Sequence, residues 1–439
     1  MKELHNMRPN ILYIHSHDTG RYVQPYGHAI ATPHLQHLSE EGVLFRQAFT
    51  VSPTCSPSRA ALLTGEYPHQ NGMTGLAHRG FSMTDYGHHL IHTLRKAGYF
   101  SALSGIQHIA HGEDAWKTIG YDQCLGGHDK AHLHAAEFLR RPHSAPFFLS
   151  VGFFETHRPF PVAHPDEDLR YCLVPPTVPD TPETRLDMAG FRQSARILDG
   201  KMGTVLSALE ETGLSENTLV ICTTDHGIAF PRMKCNLEDS GTGVMLIMRG
   251  PGGFSGGKVI DEMVSHLDIF PTICELLGLT PEHKLEGKSL LPLLNGTAGS
   301  IHEELFFEIS YHAAFEPIRA IRTRRWKYIR RFDPRKSPVL SNCDDSPSKN
   351  CWMENGWTDV PPDTEALYDL VLDQNEKNNL ILRQEYGAIA EDMRDRLGKW
   401  MRKTGDPLLN GDVPMQAAAR LVDRDSLSAY SDFLPSGMK

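Results

Sequence analysis

Along roughly the first 300 residues, short apolar runs alternate with stretches of helical periodicity, the pattern of a parallel β-sheet covered by helices. NILYIHS (Asn10 to Ser16) predicts the first strand. YFSALSG (Tyr99 to Gly105) predicts another, preceded by the amphipathic HHLIHTLRKAG, whose Gly98 stands where a helix C-cap belongs. FFLSVGFF (Phe147 to Phe154) is a continuous apolar run of the kind buried on both faces. TLVICTT (Thr218 to Thr224) follows a long helical pattern from about Thr184 to Glu211 that Gly213 closes, and GVMLIMRG (Gly243 to Gly250) is the fifth strand.

After about residue 300 the texture changes. EELFFEISY, RAIRTRRWKYIRRF and EALYDLVLD predict antiparallel strands with one covered face, followed by a charged amphipathic helix from about Gln384 to Lys403. The fold class is therefore α/β: an α/β/α sandwich with a mostly parallel central sheet over residues 1–300, then a smaller C-terminal α+β domain with an antiparallel sheet and terminal helix over 301–439. The tail after Gly405 predicts an irregular wrap or partial disorder. A chain of 439 residues exceeds the roughly 250–300 at which single cores stop growing, in keeping with that division.

Charge and cysteine content narrow the function classes. A formal net charge of −10 argues against a generic nucleic-acid or membrane-surface binder, so an anionic substrate has to be met by a local cluster of cations. No apolar run approaches the roughly 18 residues of a spanning helix, and MKELHNMRPNILYIH lacks the features of a secretory leader; a cytoplasmic location is the expectation. The eight cysteines show neither zinc spacing nor a small-domain disulfide framework; Cys343 and Cys351 are near enough for a loop bridge but read as reduced bystanders.

Polar clusters follow four predicted strands: SHDTG (Ser16 to Gly20), IQH (Ile106 to His108), ETHR (Glu155 to Arg158) and DHG (Asp225 to Gly227). Open α/β sheets bind ligands at that carboxyl edge. A further signal is TVSPTCSPSRAALLTG (Thr50 to Gly65): Pro57 suits a first helical turn, SRAALLTG supplies helix formers, and Cys55 falls at the helix N-terminus, where free N–H groups favour an anion that Arg59 can also reach. Three readings of Cys55 compete: a buried structural thiol, a thiolate nucleophile of depressed pKa, and a residue destined for modification.

The third reading comes from a resemblance. CSPSR followed by LLTG resembles the signature of the formylglycine sulfatases, in which the cysteine of C-x-P-x-R is oxidised. RPNILYIHSHDTG, TPHLQHLSEEGVLFRQAFT, TTDHG, SHLDIFPTICELLG, GKSLLPLL and LYDL…NEKNNL resemble further blocks of that family in the same order, and ATPHLQHL, HQNGM and DHGIAFPRMKCNL are similar to its N-sulfoglucosamine sulfohydrolase type. The resemblance implies an alkaline-phosphatase-like fold and hydrolysis of sulfate esters or sulfamates, with a sulfated saccharide as the small substrate. It also implies a formylglycine-generating enzyme as maturation partner and a homodimer as one possible assembly; the charge, as above, implies no nucleic-acid or membrane partner.

By motif position the resemblance implies metal ligands at Asp18, Asp225, His226 and modified Cys55, with His17 where the family usually carries another aspartate. One hydroxyl of the hydrated aldehyde would attack sulfur, and deprotonation of the other would release sulfate. Calcium is the family's usual cation; His17 and His226 bring manganese or zinc into play, or else His17 only hydrogen-bonds the site. Lys234 and Arg59 would clamp sulfate oxygens, His108 would assist proton transfer at formylglycine, and His157 would protonate or orient the leaving group. Arg158 either touches substrate or forms a loop ion pair. His312, with Tyr311, His69, His78 and Arg79, is a candidate for the sugar subsite. Ile106 stands where sulfatases commonly carry lysine, which keeps phosphonate monoester and phosphodiester hydrolases of the same superfamily as the alternative, beside an inert protein with unmodified Cys55. The basic run Arg319 to Arg331 reads either as a polyanion groove or, as the resemblance favours, as a structural strand with alternate residues solvated.

Overall fold

The computed structural model describes residues 8–435, 437 and 438, so part of the N-terminal segment read above for a leader lies outside the described residues. Strand β1 (Asn10–Ser16) is central, and its alternation shows why the sheet needs helices on both sides. Leu12 and Ile14 join one core, with the helices Ala131–Leu139 and Pro182–Glu211; Ile11 and Tyr13 join another, with Cys55–Thr64 and Ile269–Leu277. Period-two burial on both faces is what a two-sided parallel sheet requires.

The remaining strands are β2 (Val43–Phe49), β3 (Phe100–Gly105), β4 (Gln123–Gly126), β5 (Phe147–Gly152), β6 (Thr218–Thr224), β7 (Gly243–Val244), β8 (Leu246–Arg249) and β9 (Lys258–Ser265). The order is β4-β3-β5-β1-β6-β8-β2-β7, with β9 on the other side of β2. From β4 to β6 every pairing is parallel; Leu12 faces Leu149 on β5 and Val220 on β6. β8 runs antiparallel to both β6 and β2. The apolar run Gly243 to Gly250, expected as one strand, is two, because the Met245 N–H leaves the ladder and donates to the Gly20 carbonyl at 2.8 Å. β2, β4 and β9 escaped the sequence reading: Arg46 and Gln47 interrupt the apolar pattern of β2, and β9 is largely exposed along its first half.

A second sheet of four antiparallel strands, β10 (Glu304–Tyr311), β11 (Phe315–Thr323), β12 (Trp326–Arg331) and β13 (Glu365–Asp369), follows chain order. Both of its faces are covered, not one. Tyr311, Ile321 and Tyr328 belong to the same core as Leu62 and Leu63, while Phe307, Ile309 and Ile318 pack with Phe49, Leu237 and Met263. The helix Gly387–Thr404 closes the first face, Trp400 stacking on Phe306 at 5.0 Å.

That double coverage corrects the reading of the basic run. Arg319 and Lys327 are fully buried and Arg322 nearly so. Arg319 forks onto Asp406 at 2.5 and 3.0 Å, and Asp239 accepts from Arg322 and Lys327 at 2.9 and 2.8 Å. These cations are paired inside the protein, which removes the polyanion groove; the run forms structural strands as read, but its solvated cations are Arg324 and Arg325 at the turn between them rather than alternate strand residues. Beyond a 3-10 turn at Pro407–Asn410 and a single bridge between Val422 and Phe433, the tail wraps irregularly: Gln416 Nε2 donates to the Gly72 and Ser82 carbonyls, and the Tyr311 hydroxyl to that of Val413. All eight cysteines are free. Among the described residues no helix is long and apolar enough to cross a membrane.

Candidate active site

The strands that end in polar clusters, β3, β5, β1 and β6, are consecutive neighbours, so their carboxyl ends form one ledge. The helix Cys55–Thr64 begins at that ledge. Thr54 precedes it in extended conformation, Gly65 closes it in the left-handed region, and all ten of its residues are buried. Ser58 Oγ donates to the Asp225 carbonyl at 2.6 Å, fixing the first turn to the end of β6. Cys55 is thereby held over the sheet edge.

Five side chains meet there. Ligating atoms of His17, Asp18, Cys55, Asp225 and His226 all lie within 4.8 Å of one another, and all five residues are buried. His226 Nε2 is 3.4 Å from Cys55 Sγ and 3.3 Å from Asp18 Oδ1, while its Nδ1–H donates to the Gly227 carbonyl at 2.9 Å, which turns Nε2 inward to the cluster. His17 Nδ1 faces Asp18 Oδ1 at 2.6 Å and Asp225 Oδ2 at 3.3 Å. Asp225 Oδ1 accepts from the Asp18 and His226 N–H groups at 2.8 and 3.0 Å. Asp18 and His108 adopt left-handed backbone, φ 54° and 60°, a conformation costing of order 1–3 kcal/mol in non-glycine residues and concentrated at functional sites.

Cations set the charge of the cluster. Arg59 Nη2 donates to Asp225 Oδ2 at 2.9 Å and to the Ser16 carbonyl at 2.8 Å, and Nη1 reaches His15 Nδ1 at 2.5 Å. Lys234 Nζ donates to Asp18 Oδ2 at 2.9 Å. Burial pushes both carboxyls upward, but the charge of Lys234 holds Asp18 well below the carboxylate range, and His226 and His17, once protonated in acid, hold Asp225 down together with Arg59. Burial lowers His17 to about 4 and His108 well below the usual imidazole value, so both are neutral near pH 7. Cys55 moves the other way: burial and the two aspartates raise its thiol well above 9, outweighing Lys234 and Arg59. The thiolate expected of a helix start beside an arginine therefore does not arise; Arg59 is committed to Asp225.

Around this centre His108 bridges His17 Nε2 at 3.3 Å and the exposed His78 at 3.0 Å. His157 stands edge-on to His17, ring centroids 4.7 Å apart, with its Nδ1–H donated to the Arg158 carbonyl at 2.5 Å. Arg158 takes the ion-pair role: it forks onto Asp187 at 2.6 and 2.7 Å and stacks over Phe160, leaving it no free edge for substrate. His69 is tied to Glu308 and packed against Trp400, Arg79 donates to the Ala429 carbonyl with its Nε and Nη1 left buried without a hydrogen-bond partner, and Tyr311 is engaged by the tail. His312 is buried among Lys234, Asp344 and His226. Two residues were missed from sequence. His15 carried no signal beyond lying in a strand, and Asp344 lay in NCDDSPSKNCW, a segment weighed only for its cysteines.

The arrangement, a buried mixed nitrogen and oxygen donor set at a helix start flanked by arginine and lysine, suits an oxyanion held beside a cation. Residues 9–279, more than half of the chain, match the family model described as sulfatase. The chain belongs to the sulfatase family. Residues 233–355 of this sulfatase also match the model described as N-sulphoglucosamine sulphohydrolase, C-terminal. Human N-sulphoglucosamine sulphohydrolase is 30% identical over 444 residues, covering 86% of this chain and 87% of that enzyme. An ulvan-active sulfatase of Formosa agariphila is 27% identical over 466 residues, covering 91% and 76%. The phosphonate monoester hydrolase of Agrobacterium radiobacter superposes with a TM-score of 0.66 at 21% identity over 90% of this chain and 96% of that one; the alkaline-phosphatase fold is common to both. The protein is a sulfuric ester hydrolase.

Proposed function

We propose that this sulfatase removes sulfate from a sulfated saccharide, N-sulfated glucosamine among its substrates, using a formylglycine made from Cys55 by a formylglycine-generating enzyme and one divalent metal ion. The observation that carries the reading is the buried five-donor cluster in which Cys55 is one member. The names of the relatives support the substrate class: one acts on N-sulphoglucosamine and another on ulvan.

The residues fit both groups. Asp18 and Asp225 are ionised, His17 is a neutral ring, and His226, its Nδ1–H engaged by Gly227, turns Nε2 to the cluster, which suits a cation. These four, with the oxygen of residue 55, would hold the metal, which would supply charge stabilisation on the sulfuryl oxygens. Calcium accords with the carboxylates, and the two imidazoles favour manganese or zinc. Formylglycine would supply a hydrated aldehyde with one hydroxyl to take the sulfuryl group and a second to release it. Burial and the high thiol pKa make unmodified Cys55 a poor nucleophile.

The rest of the work falls to side chains. Lys234 orients a sulfuryl oxygen from the Asp18 side. Arg59 fixes Asp225 and approaches the same helix start. His108, between His17 and His78, serves proton exchange on that flank. His157 delivers a proton from Nε2 to the leaving group. The test is sulfate release from D-glucosamine N-sulfate compared with hydrolysis of phenyl phosphonate and phosphodiesters, after co-expression with a formylglycine-generating enzyme. A higher kcat/KM for the sulfated sugar supports the reading; the reverse order replaces it with the phosphonate alternative.

A further inference from the structure

Asp344 lies on the C-terminal side of the site, and Lys234 is its link to the cluster: Nζ stands 3.3 and 3.1 Å from its two carboxylate oxygens and 2.9 Å from Asp18 Oδ2. Asp18 alone balances that ammonium. A second carboxylate beside it leaves the sulfate-facing cation overcompensated, which works against binding an anion unless the carboxylate itself meets something on the substrate. Asp344 Oδ2 is buried and faces Lys234 Nζ at 3.1 Å as an ion pair, with no hydrogen bond of its own. His312 Nδ1 is likewise buried with no hydrogen-bond partner. Buried polar atoms in this state are costly and uncommon.

Both side chains are held by a fixed frame. Asn342 Oδ1 accepts from the Ala313 and Ala314 N–H groups at 3.0 and 2.9 Å, fastening the segment before Asp344 to the turn after His312. Asn342 Nδ2 donates to Glu316 at 3.0 Å, and Lys349 Nζ donates to the Cys343 carbonyl at 2.8 Å. A rigid acceptor and ring nitrogen beside the sulfate-binding lysine are placed for the part of the substrate that remains after sulfate leaves.

We infer that Asp344, with His312 beside it, is the recognition site for the leaving group, Asp344 Oδ2 accepting a hydrogen bond from a hydroxyl or N–H on a carbon next to the sulfated position. This rests on the saccharide reading above. It assigns a specificity role: polyhydroxy or amino-sugar sulfates fill the acceptor, and simple aryl sulfates leave it empty.

The experiment compares kcat/KM for D-glucosamine N-sulfate and 4-nitrophenyl sulfate in the matured enzyme, Asp344→Asn and Asp344→Ala, with metal content and thermal unfolding of each. A hydrogen bond to a buried carboxylate corresponds to about 10- to 100-fold. The alanine variant is expected to lose at least about 10-fold more on the sugar than on the aryl ester, and Asp344→Asn to fall between, because its amide oxygen still accepts. Equal losses on both substrates in the isosteric Asp344→Asn would overturn the assignment and leave Asp344 as a holder of Lys234. A wild-type enzyme that cleaves the aryl sulfate and no sulfated sugar would remove the saccharide reading, and this inference with it.

Discussion

Replacing Asp225 with alanine removes the carboxylate on which the site converges, and the structure sets the size of the effect. Oδ1 accepts two backbone N–H groups at 2.8 and 3.0 Å, and Oδ2 accepts Arg59 Nη2 at 2.9 Å. Arg59 is 2% exposed, and its other partners, His15 Nδ1 and the Ser16 carbonyl, are neutral, since burial and Arg59 itself hold His15 uncharged. Truncation therefore leaves a buried cation without a counter-charge, a loss of about 3–5 kcal/mol. Two effects modify that figure. The two stranded N–H groups add a penalty, but the vacated volume admits water that can satisfy them. Loss of Asp18–Asp225 repulsion gives a gain, which is small because Asp18 keeps its bond to Lys234. A net loss of about 3 kcal/mol remains for the metal-free protein, and metal binding is lost in addition. The assay is urea unfolding of wild type and variant, each with and without chelator, alongside metal content by elemental analysis. Wild type should lose stability on chelation and the variant should not. A variant with an unchanged unfolding midpoint and full metal occupancy would refute the argument that Asp225 holds both Arg59 and the ion.

Three other predictions draw on separate parts of the molecule. Cys55→Ser should end multiple turnover while leaving the unfolding transition near that of wild type, since a helix start tolerates serine; steady-state kinetics and circular dichroism check both halves. Asp406 is driven upward by burial but held below the usual carboxylate range by the charge and hydrogen bonds of Arg319. Its contribution to stability is thus complete above the unfolded value of about 3.9 and disappears as pH falls through the lower folded value. Asp406→Asn should be less stable at neutral pH and show a shallower acid limb, read as denaturation midpoints from neutral pH down to about pH 2. Gly105, at φ 82° before the His108 turn, would bring a Cβ to 2.2 Å from the Gly152 carbonyl oxygen; Gly105→Ala should cost about 2 kcal/mol or more and lower kcat through displacement of His108.

The parts of this fold legible in sequence were those whose burial is symmetric. β1 and β6 are apolar on both faces and coincide with their predicted limits, and the Pro182–Glu211 helix has a capping threonine and a closing glycine that mark its ends. β2 and β9 were hidden because polar residues interrupt one and exposure dilutes the other. At the site, motif-bearing residues that follow strands were visible since strand order fixes where they go, whereas Asp344 reaches Lys234 from 110 positions away through packing of the second sheet, which no local pattern encodes. Burial also decided the state of Cys55: a helix start beside arginine predicts a thiolate, yet desolvation and two aspartates outweigh both cations. The same blindness to pairing hid the burial of Arg319, Arg322 and Lys327, each of which has a carboxylate partner inside the protein.

The mass of the proteolytic peptide containing residue 55, taken from active enzyme co-expressed with a formylglycine-generating enzyme, bears most directly on the chemistry assigned to this site. The account predicts the aldehyde or its hydrate in proportion to activity across preparations. Full activity in a preparation whose peptide carries the intact thiol would contradict it.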